Sequence, residues 1–251
     1  MTLIGGFSRQ AIFFDLFNTL ILFDRSCLPR LEFEGKQSYS TSPEVFRRLR
    51  EEYPTECDFV RFHQEYLESQ RLMGELRSRD HREYSCLQRF EVLGRSLGLD
   101  REASGLMSQV HMEQVFSAMF LPEERRAVLE ELKTQKLILA SNFDDAPTLR
   151  RALLKFEMEP YFQSVFISDE MGWRKPAKKF FEILIRETGF DPKRCLFVGD
   201  DPDADVVGAV EAGFQVAWLS ERRNQEAPLR TPRWIIRSLP ALLDIVDRGR
   251  N

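Results

Sequence analysis

The chain has 251 residues, of which 43% are hydrophobic, so it can bury the core of one large domain or of a domain with a smaller insertion. Its 40 acidic and 36 basic residues give a formal net charge of −4, which provides no positive field for nucleic acid or for an anionic membrane surface. No apolar stretch approaches the roughly 20 residues that span a bilayer. We therefore expect a cytoplasmic protein with neither nucleic acid nor a membrane as its partner.

The first informative element is an apolar run that ends in a carboxylate. Residues 11–14 predict a short strand, and Asp15 follows them directly. Open parallel sheets present reacting groups just beyond the carboxyl ends of their strands. Asp15 is therefore the candidate nucleophile.

The next hundred residues predict a helical insertion. Residues 24–120 carry little strand pattern, and their apolar residues recur at helical spacing. A proline followed by acidic residues predicts a helix start at Ser42 and another after Leu121. We predict residues 25–41 to be a long loop at the entrance to the insertion. The predicted division is a core of residues 1–23 and 121–251 and a helical cap of residues 24–120.

From Leu137 onward, short apolar strands alternate with amphipathic helices, which is typical of a parallel α/β sheet. Residues 234–236 predict a last strand and residues 239–246 a closing helix. Three of the earlier predicted strands lead to polar residues, namely 137–140 to Ser141 and Asn142, 165–167 towards Lys175, and 196–198 to Gly199, Asp200 and Asp201. We expect these residues to meet Asp15 at one edge of the sheet.

The residue types at this edge suit phosphoryl chemistry with a metal. Asp15, Asp200 and Asp205 offer the hard carboxylate oxygens that Mg²⁺ prefers. Attack by Asp15 would form an aspartyl phosphate, with Lys175 supplying a cation and Ser141 a hydrogen-bond donor. Several residues here also have a plainer interpretation. Asp201, Asp203 and Asp205 would initiate a helix, Lys175 would be a solvated lysine, and Ser141 would lie in an ordinary loop.

In order and spacing, four segments resemble the motifs of the haloacid dehalogenase superfamily, namely Asp15–Leu20, Ser141-Asn142, Lys175-Pro176 and Gly199–Asp205. The resemblance implies an α/β fold, a Rossmann-like three-layer parallel sheet core with an inserted helical cap domain. It implies Asp15 as nucleophile, Ser141 as phosphate donor and Lys175 as orienting cation. The implied Mg²⁺ ligands are Asp15, the backbone carbonyl of Phe17, and Asp200, with Asp205 and Asp201 supplementing them. Asn18, Thr19 and Asn142 are predicted to bind substrate.

Phe17 departs from the phosphatase pattern. Phosphatases of this superfamily usually have an aspartate two residues after the nucleophile, which acts as general acid and then base, and phenylalanine cannot transfer a proton. An aromatic residue here resembles the dehalogenase branch instead. Asp24, Asp144, Asp145 and His111 are the other acids that the sequence offers. The acidic fourth motif favours a metal, and hence a phosphoryl group over a haloacid.

The predicted function is a magnesium-dependent phosphatase that acts on a small phosphorylated metabolite. Two alternatives stay open at this point, a 2-haloacid dehalogenase-type hydrolase and a catalytically weak phosphate-binding or regulatory protein. The sequence is compatible with a monomer or a homodimer. Substrate identity would lie in the cap, whose arginines suit an anionic substrate and whose helical spacing does not choose among Arg71, Arg77, Arg79, Arg82, Arg89 and Arg95.

Overall fold

The computed structural model describes residues 9–221 and 226–248, so the parts of the predicted core at 1–8, 222–225 and 249–251 lie outside the described residues. The chain divides into two compact units. The first falls within Met1–Leu22, Leu121–Phe143 and Leu153–Asn251, and the second within Phe23–Phe120 and Asp144–Ala152. Residues 144–152, which we had predicted to lie in the core, are part of the second unit.

The strands of the described residues are β1 (Ala11–Phe14), β2 (Leu22–Phe23), β3 (Arg30–Phe33), β4 (Lys36–Tyr39), β5 (Met119–Phe120), β6 (Leu137–Ser141), β7 (Phe162–Ile167), β8 (Cys195–Gly199), β9 (Gln215–Leu219) and β10 (Trp234–Ile236). The α-helices are α1 (Ser42–Glu52), α2 (Phe59–Asp80), α3 (Cys86–Ser96), α4 (Arg101–Ser117), α5 (Glu123–Leu132), α6 (Ala146–Lys155), α7 (Ser168–Met171), α8 (Lys178–Thr188), α9 (Gly208–Glu211) and α10 (Leu242–Arg248).

A six-stranded sheet forms the centre of the first unit. Its strand order is β10-β9-β8-β1-β6-β7, and neighbouring strands pair in parallel. Strand β1 lies between β8 and β6, with Phe14 opposite Val198 on one side and Leu139 on the other. The predicted parallel α/β core is confirmed.

Both faces of the sheet are covered, as expected for parallel strands. All four residues of β1 are buried. Because side chains alternate across a strand, this burial requires apolar packing on both sides. On one face Phe13 packs in a cluster with Phe180 and Phe181 of α8. Because helices and apolar side chains cover both faces of the sheet, polar side chains are found at its carboxyl edge.

The second unit is mainly helical. Within it α3 packs on α4, α4 on α1, and α2 on α3. The prediction of a long loop over residues 25–41 was wrong, because β3 and β4 form an antiparallel hairpin there. Glu34 and Gly35 make the turn with φ of 50° and 73°, the left-handed values that a tight two-residue hairpin turn requires.

The other predicted elements agree with the structure. Helix α1 begins at Ser42 and α5 at Glu123, which confirms both predicted helix starts. The predicted closing helix is present as a 3₁₀ turn, Leu239–Ala241, followed by α10. No helix in the described part of the chain is long and apolar enough to cross a membrane.

Candidate active site

The polar residues that follow β1, β6 and β8 converge at the carboxyl edge of the sheet, within the first unit. The backbone N–H of Asp15 donates to the carbonyl of Val198 at 2.9 Å, which continues the pairing of β1 with β8 past the last residue of β1. Asp15 is therefore set beside Gly199, and Asp200 follows one residue later. Ser141 is the last residue of β6 on the other side of β1.

Three carboxylates form an acidic cluster at this edge. One carboxylate oxygen from each of Asp15, Asp200 and Asp205 lies within 4.8 Å of the others. Asp15 and Asp205 are buried, whereas Asp200 is partly exposed. Two buried carboxylates and one accessible carboxylate are a donor set that fits Mg²⁺, which takes few protein ligands and keeps several waters.

Lys175 provides the positive charge within the cluster. Its buried Nζ donates to Asp15 Oδ1 at 2.6 Å, to Asp205 Oδ1 at 2.7 Å and to the carbonyl of Ala140 at 2.8 Å. Burial opposes its charge, but the two carboxylates outweigh burial and raise the pKa of Lys175. The lysine is therefore an ammonium ion whose three donors are fixed.

Asp205 is held by both of its oxygens. Oδ1 accepts from Lys175, and Oδ2 accepts from the backbone N–H of Asp201 at 3.0 Å. Burial raises the pKa of Asp205 to about 7, with Lys175 opposing that rise and Asp15 adding to it. Gly199 makes room for this carboxylate, since a Cβ there would lie 2.4 Å from the Cγ and Oδ2 of Asp205.

The structure does not bring the carboxylate of Asp201 into the cluster. Its side chain accepts the backbone N–H groups of Asp203 at 2.9 Å and Ala204 at 2.8 Å, and so caps the π-type turn Pro202–Val207. The supplementary metal role of Asp201 stays a prediction, and its observed contacts are those of a capping residue.

Two buried hydroxyl groups near these strand ends lack hydrogen-bond partners. Among the described residues, Thr19 Oγ1 and Ser141 Oγ are buried and unpartnered. Buried polar groups are rarely left unpaired, and an unpaired group often belongs with a ligand. These two hydroxyls suit the predicted roles of phosphate donor for Ser141 and substrate contact for Thr19.

Asn142 and Asn18 have clear contacts within the protein. The side chain of Asn142 accepts from the backbone N–H of Lys175 at 2.8 Å and donates to the Lys175 carbonyl at 3.0 Å. It therefore fixes the backbone of Lys175, immediately before the cis peptide bond to Pro176. Asn18 adopts a left-handed φ of 61°, which asparagine tolerates well. Substrate binding by either residue stays a prediction.

Phe17 lies in the turn that follows the candidate nucleophile. Its ring packs against Phe143 with the ring centroids 4.7 Å apart, and it pairs with Ile21 through a short parallel bridge. The aromatic side chain therefore has a packing role in the first unit. Metal binding by its backbone carbonyl stays a prediction.

Four residues were candidates for the general acid that position 17 lacks. All four lie in the second unit, and each makes a structural contact there. Asp24 caps the 3₁₀ turn Arg25–Cys27, Asp144 accepts from Arg77 at 2.8 Å, and Asp145 accepts the backbone N–H of Thr148 at the start of α6. His111 Nδ1 lies 2.6 Å from the Thr41 hydroxyl. None of these contacts identifies a proton donor.

Two residues that support the site were missed by sequence reasoning. Arg125, only 2% exposed, donates to the carbonyl of Asn18 at 2.7 Å and pairs with Glu221 at 2.5 Å. The indole N–H of Trp218 donates to the Asp200 carbonyl at 3.0 Å. Arg125 stands in a charged run that predicts a solvated helix face, so its burial carried no local signal.

A sequence profile of haloacid dehalogenase-like hydrolases matches residues 10–213. The chain belongs to this family. The matched range includes all four segments singled out in the sequence, from Asp15–Leu20 to Gly199–Asp205. The chain is accordingly a hydrolase of the haloacid dehalogenase-like family.

Similar sequences include phosphatases. The chain is 30% identical over 136 residues to human N-acylneuraminate-9-phosphatase, a match that covers 51% of this chain and 54% of that enzyme. It is 33% identical over 110 residues to phosphoserine phosphatase from Thermus thermophilus, with 43% of this chain and 44% of that enzyme covered. The matched segments thus span about half the length of these relatives.

Solved structures share the fold of this haloacid dehalogenase-like hydrolase over nearly its whole length. A 2-haloacid dehalogenase from Pseudomonas syringae pv. Tomato superposes with a TM-score of 0.65 at 21% identity, covering 96% of this chain and 99% of that chain. The HAD-hydrolase YfnB from Bacillus subtilis, bound to magnesium, superposes with a TM-score of 0.63 at 20% identity, covering 95% and 99%. These likenesses show the fold.

Proposed function

We propose that this hydrolase is a magnesium-dependent phosphatase that acts on a small phosphorylated metabolite through an aspartyl phosphate on Asp15. The observation that carries the proposal is the cluster of Asp15, Asp200 and Asp205 around Lys175. Hydrolysis of a haloacid does not need a divalent cation. Without such a cation, however, the three carboxylates would repel the haloacid anion. Phosphatases among the similar sequences support the same reaction class.

The residues of the cluster divide the work. Asp15 and Asp200 would hold Mg²⁺, which when bound offsets the repulsion between a carboxylate and a phosphate dianion. Lys175 orients the carboxylate of Asp15 through its contact with Oδ1. Asp205 orients Lys175 in turn, since both of its oxygens are already bonded within the protein.

The reaction proceeds in two displacements at phosphorus. An oxygen of Asp15 attacks the phosphoryl group, a bond forms between that oxygen and phosphorus, and the bond to the leaving-group oxygen breaks. Ser141 and Thr19 hold the phosphoryl oxygens with their otherwise unpartnered hydroxyls. Water then attacks phosphorus, the bond to Asp15 breaks, and phosphate is released.

Phe17 shapes the substrate preference of this reaction. General acid catalysis is worth about 10² to 10⁴ in rate, and no carboxylate stands at this position to supply it. Substrates whose leaving group departs without protonation, such as acyl phosphates, are therefore favoured. The same aromatic residue is the observation that favours hydrolytic dehalogenation as the second candidate function.

The test measures phosphate release from acetyl phosphate and p-nitrophenyl phosphate, and halide release from 2-chloropropionate, with Mg²⁺ or with EDTA. We expect phosphate release that is lost in EDTA and in Asp15→Asn. Asp203→Asn is the matched control. Asp203 is an exposed aspartate on the turn that carries Asp205, and it is not part of the carboxylate cluster. Halide release without phosphate release would establish the dehalogenase. Silence in all assays would contradict both activities and favour a phosphate-binding protein.

A further inference from the structure

A second cluster of polar side chains lies inside the helical second unit. Thr41, Tyr66 of α2 and His111 of α4 meet through their polar atoms, with Thr41 Oγ1 2.9 Å from Tyr66 Oη and 2.6 Å from His111 Nδ1. Arg89 of α3 joins them, with its guanidinium carbon 5.0 Å from the centre of the Tyr66 ring. The four side chains thus come from separate parts of the second unit and contact one another.

Arg89 is the unusual member of this cluster. It is 4% exposed, and among the described residues its Nη1 and Nη2 have no hydrogen-bond partner. Its guanidinium lies over the Phe90 ring at 4.2 Å as well as over Tyr66. Stacking of this kind stabilises the cation, but it leaves the in-plane N–H donors unmet.

The other cap arginines with close carboxylates differ in this respect. Arg71 pairs with Glu68 and Glu75 on an exposed helix face, and Arg77 pairs with Glu83 and Asp144. Asp144 also influences the Arg89 charge, but its Oδ2 accepts a hydrogen bond from Arg77 and the carboxylate makes no ion pair with Arg89 among the described contacts. Within the described part of the chain, the guanidinium of Arg89 is therefore a buried charge without an ion-pair partner, which is costly unless a partner is supplied.

The remaining members of the cluster do not provide that partner. Burial and the Arg89 charge hold the pKa of His111 well below its ordinary value, so the imidazole is neutral. Cys86, the first residue of α3, also interacts with Arg89, and burial raises the pKa of its thiol to about 12, so the thiol is neutral as well. The hydroxyl, imidazole and thiol groups around the guanidinium are therefore all neutral. They do not offset its positive charge, which one bound anion would neutralise.

We propose that Arg89, with the hydroxyl group of Tyr66, forms a binding site for a small oxyanion within the second unit. The planar pair of Nη donors matches the two oxygens of a carboxylate or of a phosphate group. His111 is partly exposed, so the cluster reaches solvent on its side. The Arg89 charge already influences the His111 ring, so the ring should report an oxyanion that binds at Arg89. This site does not depend on the proposed phosphatase activity.

The experiment follows the imidazole ring signals of the 251-residue chain by NMR during titration. The chain has three histidines, so the signals of His63, His81 and His111 are few enough to assign by substitution. Inorganic phosphate and acetate are added in separate arms, with EDTA present so that binding through the carboxylate cluster of the first unit is suppressed. The two arms distinguish a phosphate site from a carboxylate site.

We expect a saturable shift of the His111 signal, and no shift of His81, with at least one of the two anions. Arg89→Met should abolish the shift, and Arg89→Lys should weaken the affinity about tenfold or more, since an ammonium lacks the paired donors. Arg71→Met is the matched control and should leave the affinity unchanged. A Ser141→Ala variant should also leave it unchanged, which separates this site from the phosphate contacts of the first unit.

The proposal is overturned if neither anion shifts His111, or if the shift persists with unchanged affinity in Arg89→Met. Folding of Arg89→Met is checked by its circular dichroism and by its unshifted His81 signal. If that variant does not fold, Arg89→Lys decides the question. An unchanged affinity in Arg89→Lys then overturns the proposal, and a weakened affinity supports it.

Discussion

At the scale of single residues, the first unit shows how a buried arginine supports the segment that carries the candidate nucleophile. Arg125 donates to the carbonyl of Asn18, and Asn18 adopts a left-handed conformation in the turn that follows Asp15. Glu221 pairs with the same guanidinium. Arg125 touches no reacting atom, so its contribution is to position the turn that bears Phe17 and Thr19.

Replacement of Arg125 by methionine should leave the Asn18 carbonyl and Glu221 without their donor. A buried polar group left unpaired costs about 1–3 kcal/mol, and we expect the free energy of unfolding to fall by that amount. Because the turn beside Asp15 loses its tether, kcat should fall more than KM rises. Urea unfolding and steady-state kinetics measure both effects.

The neighbouring Arg126 is the matched control for this substitution. It is 31% exposed, and its nearest carboxylates are 4.0 Å away. Arg126→Met should change stability by less than about 0.5 kcal/mol and leave kcat unaltered. Equal kinetic effects of the two substitutions would contradict a positioning role for Arg125.

Phe17 is the residue at which a gain of activity can be predicted. In Phe17→Asp the carboxyl group stands two residues after Asp15, where it can protonate a leaving group. We expect the rate with an alkyl phosphate such as glycerol phosphate, whose alkoxide must be protonated as it leaves, to rise relative to acetyl phosphate by up to about 10², the lower end of general acid catalysis. The measurement is the ratio of kcat/KM for the two substrates, and a ratio unchanged from the native enzyme would show that leaving-group protonation does not limit the reaction.

At the scale of secondary-structure elements, the end of β8 depends on a glycine. A Cβ atom added to residue 199 would lie only 2.4 Å from the Cγ and Oδ2 atoms of Asp205, which is too close for any real contact. Asp205 is fixed by Lys175 and by the backbone of Asp201, so it cannot retreat without breaking those contacts. Gly199 is therefore required for close approach of the turn that follows β8 to the strand.

Gly199→Ala should lower the free energy of unfolding by about 1–3 kcal/mol through overpacking and should weaken Mg²⁺ binding. Gly74→Ala provides the opposite control, because Gly74 lies within α2 with nothing within 4 Å of its would-be Cβ. That substitution should stabilise the protein by up to about 1 kcal/mol. Thermal unfolding with and without Mg²⁺ measures both. A Gly199→Ala protein with native stability and native Mg²⁺ affinity would refute the packing argument.

Helix α4 carries a histidine whose titration should affect stability. Thr41, Tyr66, Arg89 and Phe90 surround the ring of His111, and burial followed by the Arg89 charge lowers its pKa from 6.5 in the folded protein. Below that pH the unfolded chain binds the proton before the folded protein does. The contribution of His111 to stability is therefore complete above about pH 6.5 and is lost as the pH falls.

We expect the free energy of unfolding to fall more steeply in the native protein than in His111→Gln as the pH is lowered below 6.5. The extra slope of a single such group is at most about 1.4 kcal/mol per pH unit. Urea unfolding at a series of pH values gives the slopes. Identical slopes for the native protein and His111→Gln would contradict the prediction.

At the scale of the whole molecule, the parallel sheet and the convergence of its polar ends were predictable from local patterns. Apolar runs that end in Asp15, Ser141 or Gly199 mark both the strands and the edge at which they meet. The β3–β4 hairpin was missed because its strands are largely exposed, with little apolar alternation to mark them. The burial of Arg89 and Arg125 could not be predicted from the sequence, because it depends on tertiary packing. The capping role of Asp201 could not be predicted either, because it depends on the turn that forms around that residue.

The most direct measurement of the proposed reaction is detection of the covalent intermediate. Without an acid/base at position 17 to activate water, the aspartyl phosphate should hydrolyse slowly and accumulate during turnover of acetyl phosphate. Borohydride added during turnover would reduce the acyl phosphate to an alcohol, with loss of phosphate, and convert Asp15 to homoserine. Peptide mass spectrometry should find this change at Asp15 with Mg²⁺ and not with EDTA. Steady phosphate release with Asp15 unmodified would contradict the account.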